Sequence, residues 1–152
     1  MTIIGIDPGP EFSALVEWDG EKVINMRYDV NAWILNSLAL QRKSVIGIEQ
    51  IRGYGLPAGN STFDTCEWVG KFELQALQCK HTVYKIPRAD VLTHFNVPRK
   101  GSDRWLKEKL VDEYPTTFKQ AKRNKSGSLL VKGWTDHHLS AFAIAIVAGC
   151  KK

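Results

Sequence analysis

Asp7, Glu49, Asp136 and His137 are the side chains whose types and settings could do hydrolytic chemistry. Asp7 follows the apolar run Thr2–Ile6 and precedes Pro8-Gly9, so it stands at the end of a short strand. A carboxylate there is costly to bury unless it is paired or bound to a cation. Taken alone, Asp7 reads equally well as a turn aspartate bonding its own backbone. Glu49 interrupts Val45-Ile46-Gly47-Ile48-Glu49-Gln50-Ile51, where a buried, unpaired Glu needs an explanation. Its alternative is a strand-end Glu turned to solvent. Asp136 and His137 open a last, largely apolar helix, where Asp136 alone could be a helix cap. His138 has no independent case and reads as a polar residue near a helix end. If the two strands are neighbours and the helix packs against them, all four side chains converge. Carboxylate oxygens with one imidazole suit Mg²⁺ or Mn²⁺ better than zinc. Two such ions, about 3.5–4 Å apart, can polarise a phosphodiester, activate water and stabilise the leaving oxygen.

The elements that must position these residues follow from pattern. Thr2–Ile6, Phe12–Trp18 and Lys22–Tyr28 read as three strands, the last two joined at Asp19-Gly20, a hairpin signal. Asn31–Leu40 reads as a helix with Asn31 as its N-cap and Trp33, Ile34, Leu35, Leu38 and Leu40 on its apolar side. Ser44–Ile51, apolar on both faces, suits a central strand. Arg52–Asn60 is a loop. Ser61–Cys79 is the longest helix, with Phe63, Cys66, Val69, Phe72, Ala76 and Cys79 at three- and four-residue intervals. His81–Ile86 is a strand, and Arg88–Phe95 a short helix. Ser102-Asp103 caps a helix from Arg104 to Tyr114, and Thr135–Ala148 is the last helix. Three hairpin-linked antiparallel strands, then helix-separated strands, predict an α/β fold: a mixed sheet with helices on both faces.

The chain of 152 residues fits one domain spanning residues 1–152, with an ordinary globular balance of 43% apolar and 24% charged residues. Its longest apolar stretch, Leu139–Cys150, is shorter than the roughly 20 residues that span a bilayer. No basic segment followed by an apolar run opens the chain, so a cytoplasmic location is expected. Cys66, Cys79 and Cys150 form no CxxC pair and are odd in number, which argues against a zinc knuckle or a disulfide framework. Net charge is +5, mild evidence for an anionic partner. Its distribution says more, because Lys119, Lys122, Arg123, Lys125 and Lys132 crowd a Ser/Gly/Asn-rich segment that reads as a mobile basic loop.

Ile3-Ile4-Gly5-Ile6-Asp7-Pro8-Gly9 resembles the first strand and turn of the RuvC-type Holliday junction resolvases, of the RNase H-like superfamily. Ile46-Gly47-Ile48-Glu49-Gln50-Ile51 resembles that family's second acidic motif, and His137-His138-Leu139-Ser140-Ala141-Phe142-Ala143-Ile144-Ala145 its closing helix. The segment from Glu49 to Lys71 is similar to divergent phage members. The resemblance runs through nearly the whole chain in order. It implies an RNase H-like fold and a homodimeric endonuclease, in a bacterial or phage-infected cell, that cuts four-way junctions by paired incisions leaving ligatable ends. It implies that Asp7 and Glu49 are metal ligands and that His137 is a ligand or activates water. Ser140 stands where the family has Asp. Asp136, one helical turn earlier on the same face, is the candidate for the missing carboxylate.

For backbone contact the candidates are the segment Lys119–Lys132, with Lys122, Arg123 and Lys125, and also Arg99, Lys100 and Arg104. Tyr54 or Phe63 could stack on an opened base, or simply pack. The same catalytic residues would serve a nuclease for flaps, forks or RNA–DNA hybrids. A catalytically weakened branched-DNA-binding protein is the third reading, kept open by Ser140. A nucleotide-binding protein is disfavoured, since Asp7-Pro8-Gly9-Pro10 lacks a glycine-rich phosphate cradle.

Overall fold

The computed structural model describes residues 1–53 and 55–151. Strands β1 (Ile3–Asp7), β2 (Phe12–Trp18) and β3 (Val23–Val30) form an antiparallel meander. Helix α1 (Asn31–Leu40) leads to β4 (Val45–Gln50), and α2 (Asn60–Gln78) leads to β5 (Thr82–Pro87). Both of these strands run parallel to β1, giving the sheet order β3-β2-β1-β4-β5. Beyond the sheet come α3 (Arg88–His94), α4 (Ser102–Glu113), a two-stranded hairpin of β6 (Lys122–Arg123) and β7 (Leu129–Leu130), and α5 (Asp136–Cys150).

Strand alternation sorts the core onto two faces. Ile4, Ile6, Leu15, Ile46 and Ile48 point to one face, where Ile34 and Leu38 of α1 and Val69, Phe72 and Ala76 of α2 cover them. The opposite face is covered chiefly by α5, whose Leu139 and Ala141–Ala148 are all buried. Two glycines set how closely α5 lies. A Cβ on Gly5 would fall 1.8 Å from the Ala141 carbonyl oxygen, and one on Gly47 would fall 2.8 Å from the Ala148 Cβ. Gly5 and Gly47 are partners in the β1–β4 register. The helix therefore rests on bare backbone at the centre of the sheet, with its first turn at the strands' C-terminal edge.

The architecture is the expected one, and the differences are local. Asn31 is the first helical residue of α1 rather than its cap. It is buried and ties the β1–β2 turn instead: its Nδ2 donates to the Gly9 carbonyl (2.9 Å), and its Oδ1 accepts from Ser13 Oγ (2.6 Å). Neither Ser102 nor Asp103 caps α4; Gly101 does, at φ +69°, a left-handed conformation suited to glycine. On α2, Phe63 and Cys66 are exposed, and Thr65 joins the buried stripe in their place. The basic segment forms an ordered hairpin rather than an open loop. Asn124 Oδ1 closes its turn by accepting from the backbone N–H of Ser126 (3.0 Å) and Ser128 (2.9 Å). Among the described residues, no helix is long and apolar enough to cross a membrane.

Candidate active site

Asp7 lies two residues beyond Gly5 and Glu49 two beyond Gly47, so both carboxylates share the glycines' face of the sheet, under α5. The parallel register pairs Ile6 with Ile48, which sets Asp7 beside Glu49 at adjacent strand ends. Their carboxyl groups share a hydrogen bond, and burial makes two negative charges side by side unfavourable. Burial is the largest influence on both. It raises Asp7, and together with the hydrogen bond to Asp7 and that residue's charge it pushes Glu49 up to about 8. The pair thus holds a proton at neutral pH, favoured on Glu49. The Arg88 guanidinium acts the other way on both groups, and the Asp103 carboxylate adds to the rise.

His137 joins from the first turn of α5, where its Nδ1 lies 2.8 Å from Asp7 Oδ2. Its imidazole is more than half exposed (57%), whereas the Asp7 side chain is 12% exposed. With Nδ1 turned to Asp7, Nε2 is the ring nitrogen left at the surface. Tyr28 holds the ring from behind, stacked at 5.1 Å between centroids and 13° between planes, and Phe12 stacks on Tyr28 at 5.7 Å. His138 has a different task. Thr135 caps α5 by accepting from the His138 backbone N–H (3.3 Å), while His138 Nδ1 accepts from the Thr135 N–H (3.2 Å). Burial lowers the His138 pKa, so it stays neutral as a structural cap.

Two groups that sequence reasoning overlooked complete the edge. Arg88, the first residue past β5, donates to Asp103 at the start of α4 and, at 3.4 Å, to Ser140 Oγ on α5. Asp103 is the third carboxylate whose charge reaches the pair. Neighbouring parallel strands end at one edge, so the residue following Pro87 was open to the same argument as Asp7 and Glu49. Asp103 was hidden because α4 is brought there only by tertiary packing. Asp136 is exposed on the first turn of α5 and shares a groove with Asp103, Arg104, Lys107 and Glu108. It lies on the rim, whereas Asp7 and Glu49 are influenced by each other, by Arg88 and by Asp103, and Asp7 is also bonded to His137.

The donors Asp7, Glu49 and His137 fit a hard divalent cation. A buried acid pair that shares a proton is a place where a cation can replace that proton. Among the described residues, no group of three or more His, Cys, Asp or Glu side chains is spaced to hold an ion by itself. An ion here would complete its shell with water and substrate oxygens, as Mg²⁺ commonly does.

Of the basic candidates, Lys122, Lys132 and Arg104 lie on the side of the rim formed by α4 and the hairpin, whereas Arg99 lines a separate hollow with Ala89, Leu92 and Thr93 of α3. A groove of about 580 Å³ is lined by Lys107, Lys122, Lys132, Trp134 and Asp136 among others. Lys119, Lys122, Lys125 and Lys132 are exposed, as are Arg99, Lys100 and Arg104. Arg123 is committed elsewhere, since its guanidinium makes a two-pronged bond to Glu108 (2.8 and 2.7 Å) that fastens the hairpin to α4. Tyr54 lies outside the described residues.

The sequence matches no protein-family model and no curated protein. Among solved structures it is similar to Thermus thermophilus RuvC, with a TM-score of 0.65 and 17% identity, over 97% of this chain and 92% of that one. It is similar at TM-score 0.66, with the same identity and coverage, to T. thermophilus RuvC in complex with Holliday junction substrate. The chain therefore shares the fold of RuvC, an RNase H-like mixed sheet with helices on both faces.

Proposed function

We propose that this protein is a metal-dependent, structure-selective endodeoxyribonuclease that hydrolyses phosphodiesters in branched DNA, four-way junctions first, as a homodimer. The observation that carries the reading is the buried Asp7–Glu49 pair at adjacent strand ends, with His137 bonded to Asp7. Asp7 and Glu49 would hold Mg²⁺ or Mn²⁺, with His137 either a further ligand or, left off the ion, the group that activates water. Bound there, the ion supplies charge neutralisation for an approaching phosphate and a more acidic water. Asp7 orients His137, and the exposed Nε2 is positioned to take a proton from water at the protein surface. Arg88 presents fixed positive charge towards the same edge. Asp136 and Asp103, at the rim, would hold waters around the ion rather than touch it. The lysine-lined groove beside Asp136 supports the choice of a nucleic acid as substrate. The fold shared with RuvC, which has been solved with a Holliday junction substrate, supports the choice of branched DNA.

The test is a substrate panel of labelled four-way junction, flap, fork, RNA–DNA hybrid and linear duplex, in Mg²⁺ and in Mn²⁺. Paired, symmetric nicks in the junction are expected, since two copies of the site would face two strands. Preferential cutting of flaps or hybrids would overturn the substrate assignment, and unpaired single nicks would overturn the dimer. A junction bound tightly and left uncut in either metal would favour the weakened, DNA-binding reading.

A further inference from the structure

Arg88 is an unusual neighbour for a cation site. Its side chain is only 24% exposed, although the Asp103 side chain it binds is 80% exposed. It reaches Ser140 Oγ with the other arm, at 3.4 Å, and its charge acts on Asp7 and on Glu49. One cation is thus fastened by residues of α4 and α5, with its charge felt by the carboxyl groups at the ends of β1 and β4.

We infer that the Arg88 guanidinium permanently occupies the role of a second divalent cation, so that the site takes one metal ion per chain. The inference rests on the reading of this edge as a metal-dependent phosphodiesterase. An arginine does not lose its proton in a protein, so the positive charge is present whether or not an ion is bound. A second divalent ion would meet that charge at close range. It would also find few donors, because Asp103 is already paired with Arg88 and Ser140 offers a neutral hydroxyl. What a second ion contributes to phosphoryl transfer is charge set against developing anionic oxygen, and a planar guanidinium with parallel N–H donors supplies that as well. The Asp103 bond is exposed and can be exchanged for a phosphate oxygen when substrate arrives, while the Ser140 contact keeps the guanidinium in place.

The experiment counts bound Mn²⁺ on the DNA-free protein by electron paramagnetic resonance. The wild type is expected to take one ion per chain, with no spin coupling between ions. Arg88→Lys, which keeps the charge, should also take one. The double variant Arg88→Ala/Ser140→Asp removes the cation and turns the hydroxyl it contacts into a carboxylate; it should take two ions with a spin-coupled signal. Two coupled ions in the wild type would overturn the inference, as would no ion in the wild type, or a folded double variant that still takes one. Should the double variant fail to fold, the wild-type and Arg88→Lys counts decide. The count needs neither DNA nor turnover. One ion bound with no branched DNA cut overturns only the nuclease reading, and junctions cut with two ions bound overturn only this inference.

Discussion

Glu49 holds its proton to about pH 8 because it is buried against a second carboxylate, and this has consequences in both directions of pH. An acid whose pKa is raised on folding binds more protons folded than unfolded between its ordinary value and its folded one. Its contribution to stability is complete below the unfolded value and disappears as pH rises through the folded value. The melting temperature of the EDTA-treated protein should therefore fall by several degrees between pH 6 and 9, and Glu49→Gln should flatten that fall. Thermal melts across the range check it, and a wild-type curve that rises would contradict it. Mg²⁺ must displace the same proton, so its affinity should grow over this window. Asp136 is a separate matter of distance. A rim carboxylate acting through water costs about 10–100-fold when removed, far less than a direct ligand. Asp136→Asn should lie in that range and Ser140→Ala near the wild type, measured as kcat/KM on the same DNA. Wild-type activity in Asp136→Asn would remove that residue from the site.

At the scale of elements, the site depends on how closely α5 approaches β1 and β4. Gly5→Ala drives a methyl into the Ala141 carbonyl, a backbone atom that cannot turn aside. Overpacking of this kind costs about 1–3 kcal/mol, and the clash puts Gly5→Ala at the upper end. Denaturant melts should show that loss, with cleavage falling further than stability as His137 is lifted from Asp7; an unperturbed melt would contradict the packing account. Strand alternation and hairpin signals in the sequence were enough to predict the sheet, because β-branched runs and turns are local. The carboxylate pair was legible for the same reason: Asp7 and Glu49 break two apolar strands. Gly5 and Gly47 gave no warning of their role, since a glycine in a strand shows its partner only in three dimensions. Arg88–Asp103 joins residues fifteen positions apart across two helices, and no periodicity signals such a pairing. The α4 cap went to Gly101 because a left-handed residue can end the preceding loop without a side-chain bond.

For the whole molecule, a net charge of +5 matters through its placement. Lys107, Lys122 and Lys132 line one groove beside Asp136, so on the proposed reading lysines would hold the backbone of a nucleic acid while Asp7 and Glu49 meet one phosphate. Neutralising Lys122, Lys125 and Lys132 together should weaken DNA binding and reduce the slope of log K against log salt, by about 0.9 for each phosphate that is no longer neutralised. Arg123→Ala should instead loosen the hairpin, because that side chain is held by Glu108. Fluorescence anisotropy at several salt concentrations separates the two effects, and an unchanged slope in the lysine variant would count against the hairpin as a DNA-binding element.

Asp7 and Glu49 are proposed to form a metal-dependent site for phosphodiester hydrolysis. The most direct test is cleavage of a labelled four-way junction by wild type, Asp7→Asn and Glu49→Gln, in Mg²⁺ and in EDTA. The wild type should cut in Mg²⁺ alone, and either variant should fall by about a thousandfold or more, as expected for groups that act as a unit. Cutting that survives EDTA, or a variant that cuts like the wild type, would contradict that assignment.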